Sequence, residues 1–227
     1  MSHISTMAVR EGIVMTADRM FMAVGKREIP IFKKKLFTMG DNIGLSILCH
    51  YASNDIDLYH ELANYCRNYS FNNVREAFET LWEWFIPNLY KYCNGSTYIM
   101  HIAGYDKIKT ISGRMYTEPE PKMYCITNYK TDQEGVLVPR ERFMCHGCGS
   151  DSVKQYGDMV NRVIDYNDYS LQDAVDFSKL IHTMGREYMR FMCRMDAISE
   201  DIDMIAVTPD GIQQIKRYEM KLIEEEK

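Results

Sequence analysis

The sequence predicts an α+β fold in which strands and helices come in groups. Three observations carry this expectation. Short β-compatible runs joined by turn signals occupy residues 4–49. Two helical periodicities follow before strands return. A second pair of helical stretches then precedes one last strand. Grouped elements form layers around shared cores, whereas strict alternation would give a parallel Rossmann-type sheet. Two sheets packed face to face, with helix pairs on both outer sides, use this order without long loops. The chain reads as a single domain over residues 1–227.

Each element has a local reason. Residues 4–9 and 12–17 are split around Arg10-Glu11-Gly12 and read as a hairpin. Residues 34–39 and 43–49 repeat this around Gly40-Asp41-Asn42, a strong turn signal. Four strands are therefore expected here. From Asn54 to Tyr69, Ile56, Leu58, Tyr59, Leu62, Tyr65 and Cys66 share one helical face. A second helix is predicted from Asn72 to Tyr92, bent or ended by Pro87. Strands are predicted at 97–103, 122–128 and 142–146, and helices at 152–165 and 171–194. Ser170 is the expected N-cap of the latter helix, with Asp173 three residues on. A strand at 203–207 closes at Pro209-Asp210-Gly211, and a tail helix is expected over about 213–227.

Composition removes several functions. Hydrophobic residues make up 46%, enough for a sizeable core, and the 26% charged share is that of a globular chain. A net charge of -5 gives no general attraction to nucleic acid. No apolar run approaches the roughly 18 residues that suggest a membrane span. Arg10, Glu11, Asp18 and Arg19 interrupt any signal-peptide core. The seven scattered cysteines fit free, mostly buried thiols in a reducing, cytoplasmic setting better than a disulfide framework.

Six segments, in this order, resemble one family. GIVMTAD at 12–18 is similar to a glycine-started strand ending in an acidic residue. KKLF at 34–37 resembles a lysine-bearing strand, and GLSIL at 44–48 the strand after it. GCGS at 147–150 resembles a glycine-rich turn that opens a helix. DAIS at 196–199 and DMIAVTPDGI at 203–212 look like a closing catalytic segment and last strand. Together they resemble the proteasome β-subunits, which are N-terminal-nucleophile hydrolases. The resemblance spans nearly the whole chain and implies a four-layer αββα sandwich.

It also implies a site. Counting back from GIVMTAD, the family's N-terminal threonine falls on Ser2, with only Met1 before it. Aminopeptidases remove Met readily before a small residue, which would leave Ser2 with a hydroxyl and a free α-amine. By resemblance Lys35 is the activating ammonium and Asp18 its partner. Asp196 and Ser199 orient the amine, the Cys49 backbone N–H meets the oxyanion, and Gly147, Cys148 and Gly149 form a supporting turn. An α-amine titrates near 7.7–8.0, so base and nucleophile would share one residue without a histidine.

The same residues have plainer readings. Lys33-Lys34-Lys35 alone would be a solvated strand edge, and Asp18 a strand terminus. Cys145 and Cys148 in CHGC suggest redox chemistry or half a zinc site. No second CxxC or HxxxH accompanies them, so a structural turn with two incidental thiols is expected, with no metal and no cofactor. His50, His60, His101 and His182 are scattered singly and read as ordinary surface or core residues.

Serine stands where the family has threonine. Cys49 replaces a glycine, Cys148 a serine, and Glu200-Asp201 a glycine pair. The segment before GCGS is also longer. These departures mark a divergent member. The leading expectation is a self-compartmentalising peptidase or amidase, a homo-oligomeric ring acting on peptides or unfolded protein, served by an ATP-dependent unfoldase. The alternatives are a catalytically inactive proteasome-like structural subunit and a small-molecule amide hydrolase on the same fold.

Overall fold

The computed structural model describes residues 3–22, 30–49, 57–88, 91, 93, 97–107, 120–127, 136–147, 167–192, 194 and 198–215. The chain opens with the hairpin β1 (His3–Val9) and β2 (Gly12–Asp18), then a short pair, β3 (Met20–Met22) and β4 (Pro30–Phe32). Strands β5 (Leu36–Met39) and β6 (Ile43–Cys49) lead to helices α1 (Leu58–Asn68) and α2 (Val74–Phe85). Strands β7 (Tyr98–Tyr105), β8 (Pro121–Thr127), β9 (Val136–Val138) and β10 (Met144–Gly147) follow. Helix α3 (Leu171–Met192) and strands β11 (Ile202–Thr208) and β12 (Gly211–Gln214) end the described chain. The class is mixed, with three helices and two five-stranded antiparallel sheets among the described residues.

The first sheet has the order β10-β1-β2-β11-β12, the second β5-β6-β7-β8-β9. Side-chain alternation gives every strand two distinct faces. On β1, Ile4 and Ala8 join Ile13, Met15, Leu36, Leu48 and Met123 in a core shared by the two sheets. The opposite face of the first sheet, with Met7, Val9 and Val14, packs against Leu171, Ala174, Val175 and Ile181 of α3. The outer face of the second sheet, with Leu45, Ile47, Met100 and Ile102, packs against Leu58, Leu62, Leu81 and Phe85 of α1 and α2.

Capping fixes where the helices begin. Asp57 accepts hydrogen bonds from Tyr59 N and His60 N at the start of α1, and Asn73 accepts from Glu76 N in α2. Ser170 Oγ accepts from Asp173 N at 3.1 Å, while Asp173 Oδ2 accepts from Ser170 N at 2.9 Å. This reciprocal cap is the one the sequence predicts. Helix α2 stops before Pro87, within a 3-10 turn over Ile86–Asn88. Gly40 holds φ at 68° in the β5–β6 turn, where a side chain would be strained. At Gly104 the β6 backbone comes so close that a Cβ would run into Asn42 and Ile43.

Several expectations need correction. Six strands, not four, occupy the described residues before α1, because the β3–β4 pair is too short to show a period. Strand β5 begins at Leu36, so Lys35 enters it rather than lying within it. Strand β9 was also unexpected. The tail helix expected from about 213 does not begin there. Residues 211–214 are strand β12, folded back on β11 with Thr208 opposite Gly211. A tight turn at Pro209-Asp210 makes pairing cheaper than helix nucleation. Residues 216–227 and the helix expected at 152–165 lie outside the described residues. No helix among the described residues is long and apolar enough to cross a membrane.

Candidate functional site

The hairpin register sets up the site. Ile4 lies opposite Ala17, so the start of β1 meets the end of β2. Asp18, the last residue of β2, is fully buried. Its Oδ1 accepts from His3 N at 2.9 Å, and its Oδ2 accepts from Met20 N at 2.9 Å. Lys35 Nζ donates to the same Oδ1 at 2.9 Å, and neither side chain has any solvent exposure. Lys35 Nζ also donates to Met20 O. The backbone carries Lys35 here from the second sheet, where its carbonyl accepts from Ile47 N at 3.0 Å.

Removing two ions from water costs several kcal/mol each unless pairing and hydrogen bonds offset it. This arrangement supplies the offset: the Asp18 carboxylate accepts two backbone N–H groups and one ammonium. The pair therefore ties the start of β1, the end of β2 and the entry to β5 to one geometry.

A second tier adjoins it. Ser199 Oγ accepts from Arg19 N at 2.9 Å, the residue after Asp18, and donates to Asp201 O. His182 Nε2 donates to Ser199 O at 2.9 Å, anchoring the 198–201 turn to α3. The His182 ring meets the His3 ring edge to face, with centroids 5.2 Å apart. Burial holds the pKa of His3 well below its ordinary value, helped by the neighbouring His182, His146 and Lys35 charges. Burial also lowers His182, against the opposing pull of its bond to the Ser199 carbonyl. Outside the pair, Arg19 and Asp203 form an ion pair on the rim of a cleft also lined by Phe32, Lys33, Lys34 and Gln214.

Of the residues singled out from sequence, the fold brings Asp18 to the His3 amide, Lys35 to Asp18, and Ser199 to the adjoining Arg19 amide. Gly147 lies on β10 directly opposite His3. The Cys49 side chain turns the other way, into the core beneath α1 and α2, with Sγ 3.4 Å from Cys93 Sγ. Ser2, Asp196, Cys148 and Gly149 lie outside the described residues. Sequence reasoning missed His3 and His182. The signal for His182 was present: it shares a helical face with Leu171, Ala174, Val175 and Ser178, all buried. A histidine on an apolar stripe needs a partner.

No protein-family model matches the chain, and no curated protein matches it.

Two outcomes test this site. Lys35→Met strands a buried carboxylate and is expected to cost about 3–5 kcal/mol in urea unfolding; adding Asp18→Asn should recover a large part of that. Stability should also depend on pH through His3 and His182. Their folded pKa values lie below the unfolded value of about 6.5, so the unfolded chain takes up more protons as pH falls beneath it. Stability present above that value should thus decline, by roughly 1–2 kcal/mol between pH 7 and pH 5.5. His182→Gln should flatten the decline, as read from denaturant midpoints across that range.

Proposed function

We propose that the chain is an N-terminal-nucleophile hydrolase that cleaves amide bonds with Ser2, once Met1 is removed. One observation carries this reading: a fully buried Lys35–Asp18 pair whose carboxylate holds the His3 amide. That nitrogen is bonded to the Ser2 carbonyl carbon, so the carboxylate holds the peptide group that joins residue 2 to β1. The shared core between the sheets, and the outer cores under α1, α2 and α3, fit a four-layer αββα sandwich.

In this reading the Ser2 hydroxyl gives its proton to the Ser2 α-amine as Oγ attacks the substrate carbonyl. The Lys35 ammonium favours the neutral amine and the developing alkoxide. The Cys49 N–H receives the oxyanion, an interaction typically worth about 3 kcal/mol. The α-ammonium returns the proton to the departing amine, which leaves an ester on Ser2. Water, deprotonated by the same α-amine, then releases the acid. Ser199 and Asp196 orient the amine. A ring of identical chains, in the cytoplasm and fed by an unfoldase, would confine such sites to peptides and unfolded protein.

The expected intact mass of the native protein lacks Met1. Ser2→Ala should lower peptide hydrolysis roughly a thousandfold or more while the melting temperature stays unchanged. Undiminished turnover in Ser2→Ala would remove the nucleophile from the account.

A further inference from the structure

We propose that His101, Cys125 and His146 form a zinc-type metal site between the two sheets, separate from the chemistry of Ser2. His101 on β7 and Cys125 on β8 are register partners, so their side chains leave the same face of the second sheet. His146 comes from β10, the edge strand of the first sheet. One candidate ligand atom from each residue lies within 4.8 Å of the other two. His101 Nε2 and His146 Nδ1 are 2.8 Å apart.

Two imidazole nitrogens and a thiolate are a zinc donor set that leaves a fourth position for water. Tetrahedral zinc needs about 3.3 Å between two such nitrogens and about 3.6 Å between nitrogen and sulfur, from its usual bond lengths. The histidine pair would open by about half an ångström and the thiol would close by at most about 1.2 Å. Both are rotamer-scale adjustments.

The surroundings suit an ion. His101 Nδ1 lies 3.0 Å from Thr6 Oγ1, so a proton on Nδ1 has an acceptor and Nε2 is turned to the site. Such an outer hydrogen bond orients metal-binding histidines generally. Nitrogens 2.8 Å apart share a single proton, and a cation can take that proton's place. On binding, that proton passes to the far nitrogen of His146, and the Cys125 thiol releases its own to solvent as the thiolate forms. His101 is fully buried, whereas Cys125 and His146 are each partly exposed, which gives an ion a way in. Sequence spacing hides the set, because no two of the three are neighbours in the chain.

The test uses the full chain, stripped with chelator and titrated with Co2+ and then Zn2+. One equivalent of Co2+ should give a visible tetrahedral spectrum with a thiolate-to-cobalt charge-transfer band, which Zn2+ abolishes by displacement. Cys125→Ser should remove that band, and His146→Gln should weaken Co2+ binding at least tenfold, both with unchanged far-ultraviolet circular dichroism. Thr6→Val should keep the band and weaken binding by roughly ten- to a hundredfold. Cys66→Ala, beneath α1, should change neither. A folded wild-type chain without the charge-transfer band, or a band that survives Cys125→Ser, would overturn the assignment.

Discussion

The fold depends on one buried ion pair. Lys35 and Asp18 are wholly removed from water, and a charge so placed is stable only when its partners are fixed. Those partners are backbone groups of His3 and Met20. The pair therefore constrains main chain, not merely side chains. A one-residue slip of β1 against β2 would withdraw the His3 N–H and also turn Ile4 and Ala8 out of the inter-sheet core. Electrostatics and hydrophobic burial thus demand the same register.

Strand β1 presents buried polar groups on both of its faces, because its side chains alternate. His3, Ser5 and Met7 point toward α3. There His3 meets the His182 ring, and Ser5 Oγ shares a hydrogen bond with Thr16 Oγ1 at 2.6 Å. Ile4, Thr6 and Ala8 point toward the second sheet, where Thr6 supports His101. A buried histidine lies on each side, and His101, like His3, is kept neutral mainly by burial. Strand β1 therefore contributes His3, Ser5 and Thr6 to the buried polar side chains among the described residues.

Much of this was legible in the sequence. The turns at Arg10-Glu11 and Gly40-Asp41-Asn42 announced their hairpins, and the spacing of Leu58, Leu62 and Cys66 announced the buried face of α1. The choice of Lys35 over its neighbours came from the KKLF resemblance. In the structure Lys34 is exposed, Lys33 pairs with Asp57 at the surface, and of the three only Lys35 is buried. What escaped was short or distant. Strands of three or four residues, such as β3, β4, β9 and β12, carry too little pattern to read. The meeting of His101, Cys125 and His146 needs both strand pairing and the stacking of two sheets, and neither is written in local spacing.

The central claim is that the buried pair activates residue 2. Its most direct test is covalent labelling of the native protein with an acylating β-lactone, mapped by peptide mass spectrometry and repeated with Lys35→Arg. The account predicts Met1 absent, a single acyl adduct on Ser2, and labelling at least about tenfold slower in the variant, since a planar guanidinium cannot replace a compact ammonium there. Native protein that retains Met1 and takes no adduct on Ser2 would contradict it.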